Sequence, residues 1–171
     1  MVEEDIQQWI RSHLEKRNLR EVQIVNCPSA TDLFQLIGER EFVPFYDNNE
    51  WSKGFELRGD FFERIRPDIV VRSSTSGENR IIIEVKVDTP LKYGSAADSQ
   101  IVRYFLQLLA TSRYRPDGDI RRAVLLAAPS SWFVSTHRDR WQYFLDTYRQ
   151  LAMREDIDIS LGEIHCDSMT A

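Results

Sequence analysis

Three charged side chains sit at fixed places on two neighbouring apolar segments. Pro67-Asp68-Ile69-Val70-Val71 and Ile81-Ile82-Ile83-Glu84-Val85-Lys86 flank a stretch rich in Ser, Thr and Gly, a pattern that predicts two strands joined by a turn. Side chains alternate faces along a strand. Ile82, Glu84 and Lys86 therefore share one face of the second strand, and Ile81, Ile83, Val85 and Val87 share the other. The first face changes from apolar to charged at Glu84, so the core is expected to open there. If the two strands are antiparallel neighbours, Asp68 at the start of the first lies beside Glu84 at the end of the second.

Two carboxylates brought that close repel, and one of them is raised in pKa unless a cation lies between them. A hard divalent ion such as Mg²⁺, which takes oxygen ligands and keeps several waters, removes the conflict. Lys86 would not ligate it. Its ammonium suits charge developing on a phosphate, or an attacking water. A metal-bound water of depressed pKa is a ready nucleophile, and the reaction that fits is phosphodiester hydrolysis. The competing reading is an exposed hairpin end with a loose salt bridge. Glu-x-Lys is common in proteins, but this is the only one in the chain, and it uses one of just four lysines.

Pro67-Asp68 followed by Glu84-Val85-Lys86 resembles the PD-(D/E)xK, or restriction-endonuclease-like, nuclease superfamily, over residues 55–128 and more loosely over the flanking helices. The resemblance implies that Asp68 and Glu84 bind Mg²⁺, with Mn²⁺ able to substitute. It implies that Val85 lends its backbone carbonyl to the metal and that Lys86 is catalytic. Many members carry a Gln, often with a Tyr four residues on, in the helix after the motif, and Gln100 and Tyr104 match. Gln100 is thereby expected at the catalytic site, and Arg103 and Tyr104 against nucleic acid. Gln100, Arg103, Tyr104 and Gln107 form one stripe of that helix, while Ile101, Phe105, Leu108 and Leu109 form the apolar stripe expected to face the core. Some members add an acid from the first helix. Glu3 is the first candidate here, with Glu39 and Glu41 as rivals.

The elements that would position these residues alternate between helical and extended patterns. Residues 2–17 read as an amphipathic helix with Ile6, Ile10 and Leu14 on one face. Residues 21–27 alternate as a short strand. Ser29-Ala30-Thr31-Asp32 resembles a capping box opening a short helix that Gly38 ends. Residues 44–54 carry turn chemistry and read as a surface loop. Strands are expected over 55–65, with a bend at Gly59, then over 68–72 and 80–87, with the turn at 73–79. A helix follows over 97–112. A continuous apolar strand covers 121–128, and Pro129 stops it. A second long helix runs over 138–153, burying Trp141, Phe144, Leu145, Tyr148 and Leu151, and a last strand runs over 157–165. This order predicts an α/β fold, a mixed central sheet flanked by helices, as a single domain over residues 1–171.

Bulk properties narrow the function. No apolar run is long enough to span a bilayer, and the acidic start Met1-Val2-Glu3-Glu4-Asp5 is unlike a signal peptide, which predicts an intracellular, cytoplasmic chain. The two cysteines make no disulfide framework. His165 beside Cys166 reads as an ordinary strand end ahead of half a metal site, and His13 and His137 read as surface or helix-end residues. Neither a Gly-rich phosphate loop nor a Ser/His/Asp or Cys/His grouping is visible, which places a small-molecule hydrolase third. Net charge is −5, unlike an indiscriminate nucleic-acid binder. Eighteen of the 22 basic residues, however, are Arg, the side chain suited to bidentate phosphate contacts. Arg64, Arg66, Arg72, Arg80, Arg103, Arg113 and Arg115 lie near the hairpin or the next helix. The leading expectation is a Mg²⁺-dependent nuclease acting on nucleic acid, DNA first, of restriction, resolvase, repair or mobile-element type, as a homodimer or as a subunit of a larger complex. The alternative is a catalytically silent module of the same fold that binds within such a complex.

Overall fold

The computed structural model describes residues 1–16, 24–25, 42–45, 67–73, 79–91, 100–110, 122–155 and 159–167. In chain order the elements are helix α1 (Glu3–Lys16), strands β1 (Ile24–Val25), β2 (Phe42–Phe45), β3 (Ile69–Ser73) and β4 (Asn79–Val85), helix α2 (Gln100–Ala110), strand β5 (Arg122–Ala128), helices α3 (Ser130–Phe133) and α4 (Arg138–Glu155), and strand β6 (Ile159–His165). The fold is α/β, built on one mixed sheet of order β1-β6-β5-β4-β3-β2. The four longer strands occupy its centre, and the two short ones its edges.

Strands β4, β5 and β6 are parallel, whereas β3 runs antiparallel to β4. The parallel centre is sequestered on both faces. All seven residues of β5 are buried, as its unbroken run Arg-Ala-Val-Leu-Leu-Ala-Ala anticipates for a strand covered on both sides. On one face Ile6 and Ile10 of α1 pack on Ile69, Val71, Ile81, Ile83, Val85, Leu125 and Ala127. On the other, Ile101, Tyr104, Phe105 and Leu108 of α2, Trp132 and Phe133 of α3, and Trp141 and Leu145 of α4 pack on Val70, Ile82, Val124, Leu126 and Leu161. The alternation read along β4 is thus present, with odd-numbered residues toward α1 and Ile82 toward α2. Helix α1 forms where the 6/10 apolar spacing requires it, and its acidic first turn, Glu3, Glu4 and Asp5, complements the positive end of the helix dipole.

One expectation is corrected. Pro44 and Phe45, read as the start of a loop, lie in β2, paired with Val71 and Val70. Pro44 cannot donate to a ladder, but β2 lies at the sheet edge, the one place a strand tolerates proline. The strand expected over 55–65, the capped helix from Ser29, the loop over 46–54 and Leu14 and Leu151 as core side chains lie outside the described residues. None of the described helices is long and apolar enough to cross a membrane.

Ile83 pairs with Ile69 and Leu125 in the α1-side core and is 1% exposed. Ile83→Ala should cost about 2–5 kcal/mol in urea denaturation, and a loss below about 1 kcal/mol would show that α1 does not close this face as described.

Candidate active site

Asp68 heads β3, and the register that pairs Ile69 with Ile83 sets it opposite Glu84 when continued by one residue. The Val85 N–H donates to Asp68 Oδ2 at 2.8 Å, so the carboxylate clamps the end of β4. Gln7 of α1 donates from Nε2 to Asp68 Oδ1 at 3.0 Å. Glu84 lies on the α2 face of β4. The Tyr104 hydroxyl donates to its Oε2 at 2.8 Å, and Lys86 Nζ lies 3.0 Å from its Oε1. The Lys86 N–H donates to the Ala127 carbonyl at 2.9 Å, which carries the β4–β5 pairing one residue past the strand end. The core does not open at Glu84 as alternation suggested. Glu84 is 2% exposed and Lys86 7%, and the charges are accommodated inside by pairing with each other.

That pairing leaves a strained charge balance. Burial, together with the nearby Asp68 charge, pushes the Glu84 carboxyl up to about 7, against the opposing pull of Lys86 and Tyr104. Burial also raises Asp68, although the Val85 N–H and the Lys86 charge pull it back down; Glu3 adds to the rise and Arg11 opposes it. Burial alone would lower Lys86, but Glu84, with help from Glu3 and Asp68, holds its ammonium above the ordinary lysine value. Lys86 is therefore a fixed cation, and Glu84 is the member that loses its charge first on acidification. Two carboxylates that both resist ionisation make a donor set that a hard divalent cation would stabilise. Among the described residues, Asp68 and Glu84 are the two carboxylates brought side by side that could hold such an ion. No group of three or more His, Cys, Asp or Glu side chains arranged for a metal occurs among the described residues.

The structure thus brings Asp68, Glu84, Val85 and Lys86 together and adds Tyr104 in a changed role. Tyr104 was expected on a polar stripe facing nucleic acid, but it is fully buried among the apolar residues of α2. A phenol without exposed surface supports Glu84 and does not meet a polymer. Arg103, its neighbour on α2, is half-buried. Gln100 opens α2, and its side chain lies outside the described residues, as do those of Gln107, Arg72 and Arg80. Arg64, Arg66, Arg113, Arg115, Glu39 and Glu41 lie outside them altogether. Glu3 acts electrostatically on both Asp68 and Lys86.

Gln7 was missed, because nothing separates it from any other polar residue of an amphipathic helix. A second polar cluster was missed as well. Glu163 on β6 is 1% exposed. It accepts the Trp141 indole N–H at 2.9 Å and pairs with Arg138 at 3.2 Å and His165 Nε2 at 3.0 Å. His165 stacks on Phe133, and its Nδ1 lies 3.2 Å from Ser130 Oγ. The Ser-His-Glu order resembles a nucleophilic triad. However, Asp167 accepts both the Ser130 hydroxyl and its N–H, and Arg138 already balances Glu163, so the cluster ties β6 to α3 and α4. Cys166 belongs to the α1-side core, its thiol pushed up to about 12 by burial, whereas the His165 ring stacks on Phe133 of the opposite core. The pair is an ordinary strand end.

No protein-family model, curated protein or solved structure matches this chain.

The Glu84 environment gives a signed pH test. The folded chain keeps the Glu84 proton up to about pH 7, while the ordinary value is 4.5. Stability that is present below the ordinary value is therefore lost as pH rises through the folded one. With chelator present, Glu84→Gln, which mimics the protonated form, should match wild type at pH 4.5 and be the more stable at pH 8 in urea denaturation. An equal gap at both pH values would show that Glu84 ionises without penalty.

Proposed function

We propose that this protein is a metal-dependent nuclease with a restriction-endonuclease-like core, hydrolysing phosphodiester bonds of nucleic acid, DNA foremost. The observation that carries the proposal is the meeting of Asp68, Glu84 and Lys86 at the end of β4, two carboxylates sharing one cation, with Glu84 and Lys86 buried. A structural salt bridge accounts for Glu84 and Lys86, but not for a second carboxylate placed where it makes Glu84 harder to ionise.

Asp68 and Glu84, with the Val85 carbonyl, would hold Mg²⁺ or Mn²⁺, which supplies a polarised phosphate and a water of lowered pKa. The chain's own groups do the rest. The Val85 N–H fixes one oxygen of Asp68, and Tyr104 fixes one oxygen of Glu84. Lys86 keeps its proton, so it serves as a positive charge against the phosphate and not as a base. Arg103, half-buried beside Tyr104 on α2, would meet the phosphate backbone, a contact that positions substrate without reading sequence. A symmetric dimer would cut both strands of a duplex most simply, and a larger assembly would supply the positive surface that a net charge of −5 withholds.

The silent-module reading has one observation in its favour, since all four oxygens of Asp68 and Glu84 already have a donor or cation from the protein. Metal uptake separates the two readings, because calorimetry without heat from Mg²⁺ or Mn²⁺ would leave the inert module. In a cleavage assay over single-stranded, duplex and branched DNA and over RNA, wild type should cut only with Mg²⁺ or Mn²⁺. Lys86→Ala should cut about 10²–10³-fold more slowly. Equal rates for the two proteins on every substrate would sink the catalytic claim.

A further inference from the structure

Helix α1 presents a column of three polar residues to Asp68. Glu3, Gln7 and Arg11 are spaced four apart, so they lie on one edge of the helix. Gln7 is in direct contact through its amide, while Glu3 and Arg11 act on the carboxylate through charge, in opposite senses. The position of this edge is not adjustable. Ile6 and Ile10, on either side of Gln7 in sequence, are 0% and 1% exposed in the α1-side core, and they fix the register of the helix over the sheet. Gln7 is therefore delivered to Asp68 by packing that has nothing to do with the charges.

We propose that Gln7 is a positioning residue for Asp68, setting the direction in which this carboxylate presents its free lone pairs to a divalent cation. The inference rests on the metal-dependent reading above. Asp68 has two oxygens, and each takes one donor, from Val85 on β4 and from Gln7 on α1. One hydrogen bond leaves a carboxylate free to swing about its Cβ–Cγ bond. Two bonds from different elements fix its plane. Each oxygen has a second lone pair, so both donors can stay in place while a cation binds. The choice of an amide is chemically specific. Lys or Arg at this place would add a positive charge that opposes a cation, and Glu would add a carboxylate that repels Asp68 until a cation arrives. Gln donates without changing the charge of the site. Partners that orient a metal ligand in this way typically matter about 10–100-fold in metal affinity.

Gln7→Met removes the donor and keeps the length and bulk of the side chain. It should weaken Mn²⁺ binding about tenfold by calorimetry while the melting temperature of the chelated protein stays unchanged. Gln7→Glu reverses the sign of the effect: it should melt lower than wild type in chelator and gain more from Mn²⁺ than Gln7→Met does. A purely structural Gln7 would lower the metal-free melting temperature of Gln7→Met and leave its Mn²⁺ affinity alone, and that result overturns the inference. Asp68→Asn serves as the control for the underlying reading. If wild type binds Mn²⁺, Asp68→Asn does not, and Gln7→Met binds as tightly as wild type, only the role of Gln7 falls. If wild type and Asp68→Asn are alike in taking up no Mn²⁺, the metal-dependent reading falls with it.

Discussion

A carboxylate buried beside another carboxylate is the constraint around which this end of the sheet is built. Glu84 lies almost wholly out of water, and an ion there is several kcal/mol too costly unless its charge is answered nearby. The answers come from two directions. Lys86, one residue past the end of β4, faces it and Tyr104 reaches it from α2, while the neighbouring Asp68, whose charge adds to the cost, is held by the Val85 N–H. Removing either compensation would leave Glu84 still harder to ionise, and Glu84 in turn is the main group that keeps the Lys86 ammonium above its ordinary value. The hairpin, the crossover helix and the first helix are thereby coupled through charge as well as through apolar contact.

The carboxyl ends of the parallel strands share this design. On β6, Glu163 is as deeply buried as Glu84, and it too is answered by a cation and an aromatic donor, here Arg138 and Trp141 of α4. The registers set Glu84 and Glu163 on either side of Leu126 in β5, so the sheet carries two acid-centred networks in one row. They differ in what remains unanswered. Glu163 has a full complement of neutralising partners and works as a tie between β6 and the helices above it. Glu84 shares its cation with a second acid, which leaves its charge only partly answered.

Period-two patterning made the central strands legible, because an alternating or fully apolar run has few other ways to bury itself. The helices over α1, α2 and α4 followed from their apolar spacing in the same way. Local pattern failed where identity and burial part company. Pro44 looked like a turn residue, since composition does not distinguish a loop from an edge strand. Tyr104 is amphipathic, and its position in α2 suits either a solvent-facing stripe or a core with one internal hydrogen bond. The structure selects the second because Glu84 lies within reach. Asp68, Glu84 and Lys86 were legible as a group through strand pairing alone. Gln7 and the Glu163 cluster were not, because their meaning comes from contacts made across the fold.

The contact between Gln7 and Asp68 spans 61 residues, whereas β3 and β4 are joined by a short connection. Closing a hairpin is a microsecond event, and contacts between distant parts of a chain form later because they carry a larger loop-closure cost. The strand pair that holds the two acids and the lysine can thus exist before the first helix is seated over it. A half-assembled chain would carry the two acids and the lysine before Gln7 reaches Asp68, so the complete set of contacts around that carboxylate would exist only once folding is complete.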